Sequence, residues 1–395
     1  MFWKRRAYLD YAAGVSGNPS SPHEEGRLAK KMLEEARTVI ARLTEVQSDD
    51  VIFTSGATES NALAILGHVR ALRLQAGPDV PGRNNMHVLY LPSAHASIVE
   101  NAKLLQAEGV IVEALPIKGY RVDTDALAAM LRKETVLVSM DAVCGETGTV
   151  WNTREVAQVL QHVQVRLTQQ LCKSDLHMSR PLLHVDASQA PLTEKISRAH
   201  FDADMLTFDA SKVGTVRGIG VLIAHRTIPL VPLYAGGGQE RALRSGSEAP
   251  ELARSFAAAL RAAALGREAF RASAEKNRTL LKSALNTIPN IHIQEGRSQA
   301  PHILNLSLPG RDTDYVLALL DEAGFAVSSR SACETDSEER SREGSRAVLF
   351  LTGDSERARA TLRISWGPRI RPRELTRFGR ALARAVAFID NNTPG

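Results

Sequence analysis

The 395-residue chain has only three cysteines, Cys144, Cys172 and Cys333. Three thiols do not make a disulfide framework, so the sequence predicts a reducing compartment, the cytoplasm. Long apolar runs are lacking as well, and none reaches the roughly 18–20 residues of a membrane span. The N-terminus has a basic start but no apolar segment behind it, which argues against a secretory signal. There is no internal repeat and no low-complexity tract. Charge of one sign is scarce: 49 basic residues face 44 acidic ones, a net charge of +5. So mild an excess gives no support to a nucleic-acid partner. Hydrophobic residues at 44% and charged residues at 24% are ordinary for a soluble globular protein. The length suits one large and one small domain, or two similar ones.

The most informative stretch runs from Leu182 to Ala224. It reads as three apolar strands, Leu182 to Val185, Met205 to Phe208 and Gly218 to Ala224. Asp186 follows the first strand, with Ser188 and Gln189 behind it. Lys212 follows the second, in Asp209-Ala210-Ser211-Lys212. Ligands of open α/β sheets sit outside the carboxyl ends of the strands, so a carboxylate and an amine would face one crevice. That pair suits pyridoxal phosphate. The lysine can form a Schiff base, and the carboxylate can keep the pyridine nitrogen protonated. A solvated loop lysine and an aspartate capping a helix are the plainer alternatives.

Upstream, Ala7 to Tyr11 reads as a short strand. Ser21, Pro22 and Glu24 read as the cap and first turn of a helix that runs to Leu43. Val51 to Thr54 is a buried strand, followed by Ser55-Gly56-Ala57-Thr58-Glu59-Ser60-Asn61 and a helix from Ala62 to Leu72. Strand, small polar loop and helix together offer backbone N–H groups to a phosphate, with the Thr58 hydroxyl nearby; capping by Ser55 or Thr58 is the alternative. The strand His87 to Leu91 delivers His95 to the same edge, as a candidate for ring stacking or proton transfer. Alternation continues through Val110 to Pro116, Asp123 to Leu131, Val136 to Met140 and a helix from Thr153 to Leu171. This pattern predicts a mostly parallel sheet covered by helices on both faces.

Gly236 to Ser247 is a glycine-rich, basic and hydroxylated segment, either a further anion-binding loop or a hinge. A long Ala-rich helix follows, from Glu248 to Ala272. The pattern then changes to a smaller α+β region. Its strands are Ile291 to Ile293, Ile303 to Leu308, Ala326 to Ser328 and Thr361 to Gly367, and its helices run from Thr313 to Ala323 and Arg373 to Ile389. Cys333 heads a long polar segment, where a thiol is open to chemistry; a buried cysteine is the alternative. Arg363 can bind a carboxylate bidentately or serve as a surface ion pair.

Taken in order, YLDYAA, GNPSS, VIFTSGATESNALAILG, HVDASQA, the Lys212 loop, GGGQERALRSGS, NLSL, VSSRSAC and LRISWG resemble the cysteine desulfurases. These belong to the class V aminotransferase group of fold-type I pyridoxal phosphate enzymes. The resemblance runs nearly end to end. It implies a large domain over 14–248 with a mostly parallel seven-stranded sheet, and a small α+β domain formed by 1–13 and 249–395. It implies that Lys212 carries pyridoxal 5'-phosphate and moves protons, that Asp186 pairs with the pyridine nitrogen, and that Gln189 bonds the phenolic oxygen. His95 would stack on the ring. The Ala57 amide and Thr58 would hold the phosphate, joined by Ser247 from the second subunit of a homodimer, and Ser211 would also contact the cofactor. Arg363 would bind the carboxylate of L-cysteine. Cys333 would take the sulfur as a persulfide, leave alanine, and pass the sulfur to an iron–sulfur scaffold or a tRNA-thiolation protein. A selenocysteine lyase or other class V aminotransferase-type lyase, and a weakened scaffold that binds sulfur-transfer partners, are the alternatives.

Five features depart from the family pattern. The segment between Ala13 and Gly17 is shorter than usual by about a helix. Ser211 stands where a histidine usually precedes the lysine. Asp209 stands where a serine usually contacts phosphate, and a carboxylate there is repulsive unless it turns away or finds a cation. Gly145 replaces an asparagine that helps hold the cofactor oxygen and the substrate carboxylate. The stretch from Val163 to Arg180 reads as an insertion.

Overall fold

The structure is a computed structural model that describes residues 7–15, 17–76, 85–170, 180–329 and 344–392. Its strands in chain order are β1 (Val51–Thr54), β2 (His87–Tyr90), β3 (Ile111–Ala114), the hairpin β4 (Ile117–Lys118) and β5 (Arg121–Val122), and β6 (Thr135–Asp141). Then come β7 (Leu182–Asp186), β8 (Met205–Asp209), β9 (Gly220–Ala224), β10 (His292–Gln294), β11 (Ile303–Ser307) and β12 (Thr361–Ser365).

Seven of them form one sheet in the order β1-β9-β8-β7-β6-β2-β3. Strands β8, β7, β6, β2 and β3 are mutually parallel, and β9 alone runs against its neighbours. The sequences of β7 to β9, LLHVD, MLTFD and GVLIA, are almost wholly buried. Near-continuous apolar runs of this kind mark strands covered on both faces. One result matters for the site. The carboxyl ends of β1, β2, β6, β7 and β8 share one edge.

A second, antiparallel sheet has the order β10-β11-β12. Two apolar cores accompany the two sheets. The larger includes Ile52, Val88, Leu137, Leu183, Leu206 and Leu222. The smaller includes Leu304, Leu320, Leu362, Phe378 and Leu382. The long helix Pro250–Leu285 supplies Phe256 and Leu260 to the first core and Phe270 and Leu281 to the second. That double duty explains why it outruns the expected end at Ala272.

Several local expectations are corrected. Residues 7–10 form no strand, and Tyr11–Ala13 is a single 3-10 turn. The first helix starts at Glu24 rather than Pro22, because His23 is its cap: the Gly26 N–H donates to His23 Nδ1 at 3.1 Å. Ser21 Oγ instead donates to Asp10 at 2.8 Å. The helix after β1 starts at Ala57, five residues early, and contains one π turn at Leu63–Gly67. Neither Ser55 nor Thr58 caps it; the Glu59 carboxylate reaches back to accept from the Ser55 N–H at 2.6 Å. Ala326 to Ser328 is not a strand, and only Ser328 bridges to Arg363. The Gly236–Ser247 segment is pinned rather than a free hinge. Glu240 is buried and takes a bidentate pair from Arg37 at 2.7 and 2.8 Å, plus the Phe53 N–H at 2.8 Å. Those bonds hold Glu240, Arg241 and Ala242 in successive left-handed conformations that non-glycine residues disfavour.

Candidate active site

The edge where β2, β6, β7 and β8 end gathers Asp186, His95 and Lys212. Asp186 closes β7 and is 6% exposed. Its Oδ1 accepts from the Ser188 N–H at 2.9 Å, so it does cap the turn that follows it. Its Oδ2 accepts from Asn61 Nδ2 at 2.7 Å. Among the described residues no cation pairs with it. A buried, oriented carboxylate without a cation is costly, and a protonated ring nitrogen is the kind of cation that would complete it.

A chain of polar contacts joins Asp186 to His95. Asn61 Nδ2 also donates to Ser97 Oγ at 2.8 Å, and that oxygen lies 2.8 Å from His95 Nδ1. The Ser97 N–H donates to the same Nδ1 at 3.2 Å. A backbone N–H can only donate, so Nδ1 accepts and the neutral ring carries its proton on Nε2. Sequence reasoning missed Asn61. The available signal was an amide one turn into a helix whose next six residues are apolar or glycine.

Two more buried groups lie under this edge. Asp141 sits beside Asp186 in the sheet register, and burial followed by the charge of Asp186 pushes its carboxyl well above the usual range. His184 lies two residues before Asp186, between Ser139 Oγ at 2.8 Å and Thr207 Oγ1 at 3.1 Å. Burial pushes its imidazole down to about 4, against the opposing pull of Asp186.

Lys212 ends the 3-10 turn Ala210–Lys212 that follows β8. Its side chain is exposed and makes no ion pair or hydrogen bond among the described residues. Gln189 lies against Gly145, where a Cβ would come within 3.0 Å of its Nε2. The glycine there leaves Gln189 its room. Arg363 on β12 donates to the Gly145 carbonyl at 3.2 Å, which brings the second sheet to the same loop.

The phosphate end differs from expectation. The Ala57 N–H donates to Asp209 Oδ2 at 2.9 Å. The Ser211 N–H and hydroxyl both donate to Asp209 Oδ1, at 2.8 and 2.6 Å. Asp209 neither turns away nor pairs with a cation among the described residues. It takes the Ala57 amide, which was expected to hold a phosphate, and both donors of Ser211, which was expected to contact the cofactor. The ring end of the site thus fits pyridoxal phosphate, and the phosphate end as folded does not. Thr58 is exposed beside this turn, and Ser247 is exposed on the segment that leads to Pro250. That segment is tied to the same turn by Arg244, whose Nε lies 3.5 Å from Glu59, and by Tyr234, whose hydroxyl donates to Glu59 at 2.6 Å.

Cys333 and the residues from 330 to 343 lie outside the described part of the chain. Their flanks do not. Before them, Ser328 exchanges backbone bonds with Arg363, at 2.6 and 3.3 Å. After them, Ser345 Oγ donates to Glu146 at 2.5 Å and Arg346 donates to the Ala94 carbonyl at 2.8 Å. The near flank is thus fixed to β12 at Arg363, and the far flank to the loops around Glu146 and Ala94. Part of the Val163 to Arg180 insertion, 171–179, also lies outside the described residues; helix continues to Gln170.

The strand order and its single ligand edge define an α/β fold of the fold-type I pyridoxal phosphate architecture. Residues 5–378 match the class-V aminotransferase family, and the chain belongs to that family. Among its relatives, the "Cysteine desulfurase IscS 1" of Archaeoglobus fulgidus is 31% identical over 365 residues, 91% of this chain and 87% of that protein. The mitochondrial cysteine desulfurase of Candida albicans is 30% identical, over 98% of this chain and 74% of its own length. Of solved structures, a NifS-like protein superposes with a TM-score of 0.81 at 24% identity, covering 96% of this chain and 94% of that one; this likeness shows the fold. The structure of DndA from Streptomyces lividans gives a TM-score of 0.71 at 28% identity, covering 91% and 94%.

Proposed function

We propose that the chain is a pyridoxal-phosphate-dependent cysteine desulfurase. The observation that carries this reading is Asp186, a buried carboxylate that has no cation partner among the described residues, at the same sheet edge as the Lys212 amine, which those residues also leave unpaired. Membership of a family with many cysteine desulfurases supports it. The net reaction is L-cysteine plus an enzyme thiol giving L-alanine plus an enzyme persulfide, with no external oxidant needed.

When bound, the cofactor supplies an electron sink next to the substrate Cα. The chain does the rest. Lys212 would hold the cofactor through its aldehyde and would move protons at its Nζ. Asp186, held by Asn61 and Ser188, would keep the ring nitrogen protonated. His95 would cover the ring, and Gln189 would bond its phenolic oxygen. Arg363 orients the substrate carboxylate. Cys333 accepts the sulfur and delivers it to an acceptor protein, an iron–sulfur scaffold or a tRNA-thiolation protein. The anchoring of both flanks of its segment near the site supports that role.

The working domain division is 14–248 against 1–13 with 249–395, supported by the two apolar cores. The working assembly is a homodimer in which Ser247, exposed in the single chain, reaches the other subunit's cofactor site beside Thr58. No helix of the described residues is long and apolar enough to cross a membrane, and the working compartment is the cytoplasm.

The test is a visible absorption spectrum of the purified protein before and after L-cysteine, with alanine and sulfide assayed alongside. The reading expects a visible band that changes with cysteine, is lost in Lys212→Ala, and yields alanine. Cys333→Ala should keep the band and lose sulfide release. A protein that stays colourless with added pyridoxal phosphate refutes the reading and leaves a scaffold for sulfur-transfer partners. Sulfide release at the parental rate from Cys333→Ala refutes the role of that cysteine.

A further inference from the structure

We infer that Asp209 is an occupant, built into the chain, of the cradle meant for the cofactor phosphate, and that it removes most of the advantage of the phosphorylated cofactor over plain pyridoxal. This inference rests on the cofactor reading above.

The first N–H groups of a helix have no partner within it. In the turn after β1 the Ala57 N–H meets that need with Asp209 Oδ2 at 2.9 Å. The approach is made possible by glycine. Gly220 pairs with Thr54 on one side and Asp209 on the other. A Cβ at Gly220 would lie 2.7 Å from the Gly56 carbonyl carbon and 2.8 Å from its Cα. With hydrogen there, the Gly56 turn settles directly on β9 and delivers its amide to the end of β8.

The other carboxylate oxygen is equally committed. Asp209 Oδ1 accepts both the Ser211 N–H and the Ser211 hydroxyl. Three donors from two turns therefore converge on a single carboxylate. A phosphate bound through the Ala57 amide and Ser211 needs those same donors. It would also bring two more negative charges against one that the described residues leave without a cation. The Asp186 end of the site, on the neighbouring strand, is untouched by this conflict. The ring and aldehyde keep their partners while the phosphate loses its own. Asp209 is thus a specificity-determining residue for the cofactor.

The test measures dissociation constants for pyridoxal 5'-phosphate and for pyridoxal from the visible band. Each adduct is trapped with borohydride and located by peptide mass spectrometry at Lys212. The native chain should prefer the phosphorylated form by less than about tenfold. Asp209→Ser should tighten pyridoxal phosphate at least thirtyfold and change pyridoxal less than threefold. Asp209→Asn, which keeps the shape and removes the charge, should fall between them and guards against a serine variant that folds poorly. A native preference of a thousandfold, or an equal preference in all three chains, overturns the inference while leaving the cofactor reading intact. No adduct at Lys212 with either aldehyde in any chain refutes the cofactor reading, and this inference with it.

Discussion

Asn61→Ala should destabilise the protein through Asp186. Asn61 Nδ2 is the side-chain donor to Asp186 Oδ2, at 2.7 Å, and it also serves Ser97 Oγ at 2.8 Å. Both acceptors are buried. Losing a hydrogen bond to a charged group costs about 1.5–3 kcal/mol, and losing a neutral one about 1 kcal/mol. The sum is about 3 kcal/mol, read from equilibrium urea denaturation followed by tryptophan fluorescence. A double-mutant cycle isolates the charged share. In an Asp186→Asn background the same substitution should cost only about 1 kcal/mol, because the acceptor no longer carries charge. A cost below about 0.5 kcal/mol for Asn61→Ala alone, or no coupling with Asp186→Asn, would refute the claim that Asn61 orients and stabilises that carboxylate.

Acid should weaken the fold through His184. Its folded value of about 4 lies below the ordinary 6.5, so the unfolded chain binds more protons between those values and stability falls as pH drops through that window. The contribution is about 2 kcal/mol at pH 5, and denaturation at pH 7 and 5 should show a correspondingly smaller loss in His184→Gln. Arg37→Ala strands the buried Glu240 carboxylate and should cost about 3–5 kcal/mol; a loss under 1 kcal/mol would mean that the pair does not hold the Gly236–Ser247 segment. The Cys144 thiol is pushed up to about 12, first by burial and then by Asp141 and Glu146. Iodoacetamide at pH 8 should therefore leave it unmodified in the native protein and label it in urea, as peptide mass spectrometry would reveal.

The strands and the motif residues were legible in the sequence because they are local. Apolar runs such as LLHV, MLTF and GVLIA signal buried strands without reference to anything distant. The residue that follows each run is then placed at the sheet edge by chain order alone. Asp186, His95 and Lys212 were placed at that edge in this way. The boundary errors were local too. His23 won the cap from Ser21, and Glu59 reached back over a turn that looked like loop.

Tertiary structure decided which polar group meets which. Asn61 finds Asp186 across 125 residues, Ala57 finds Asp209 across 152, and Arg37 finds Glu240 across 203. Periodicity and turn chemistry report the environment of a residue a few positions away, and they carry no record of a partner brought near by sheet order. By itself the sequence determined the fold class, the strand ends and the residue types offered to the ligand edge. Only the tertiary structure decided that the Asp209 carboxylate, rather than open space, meets the Ala57 and Ser211 amides, because the Ala57 contact exists only once β9 lies between β1 and β8.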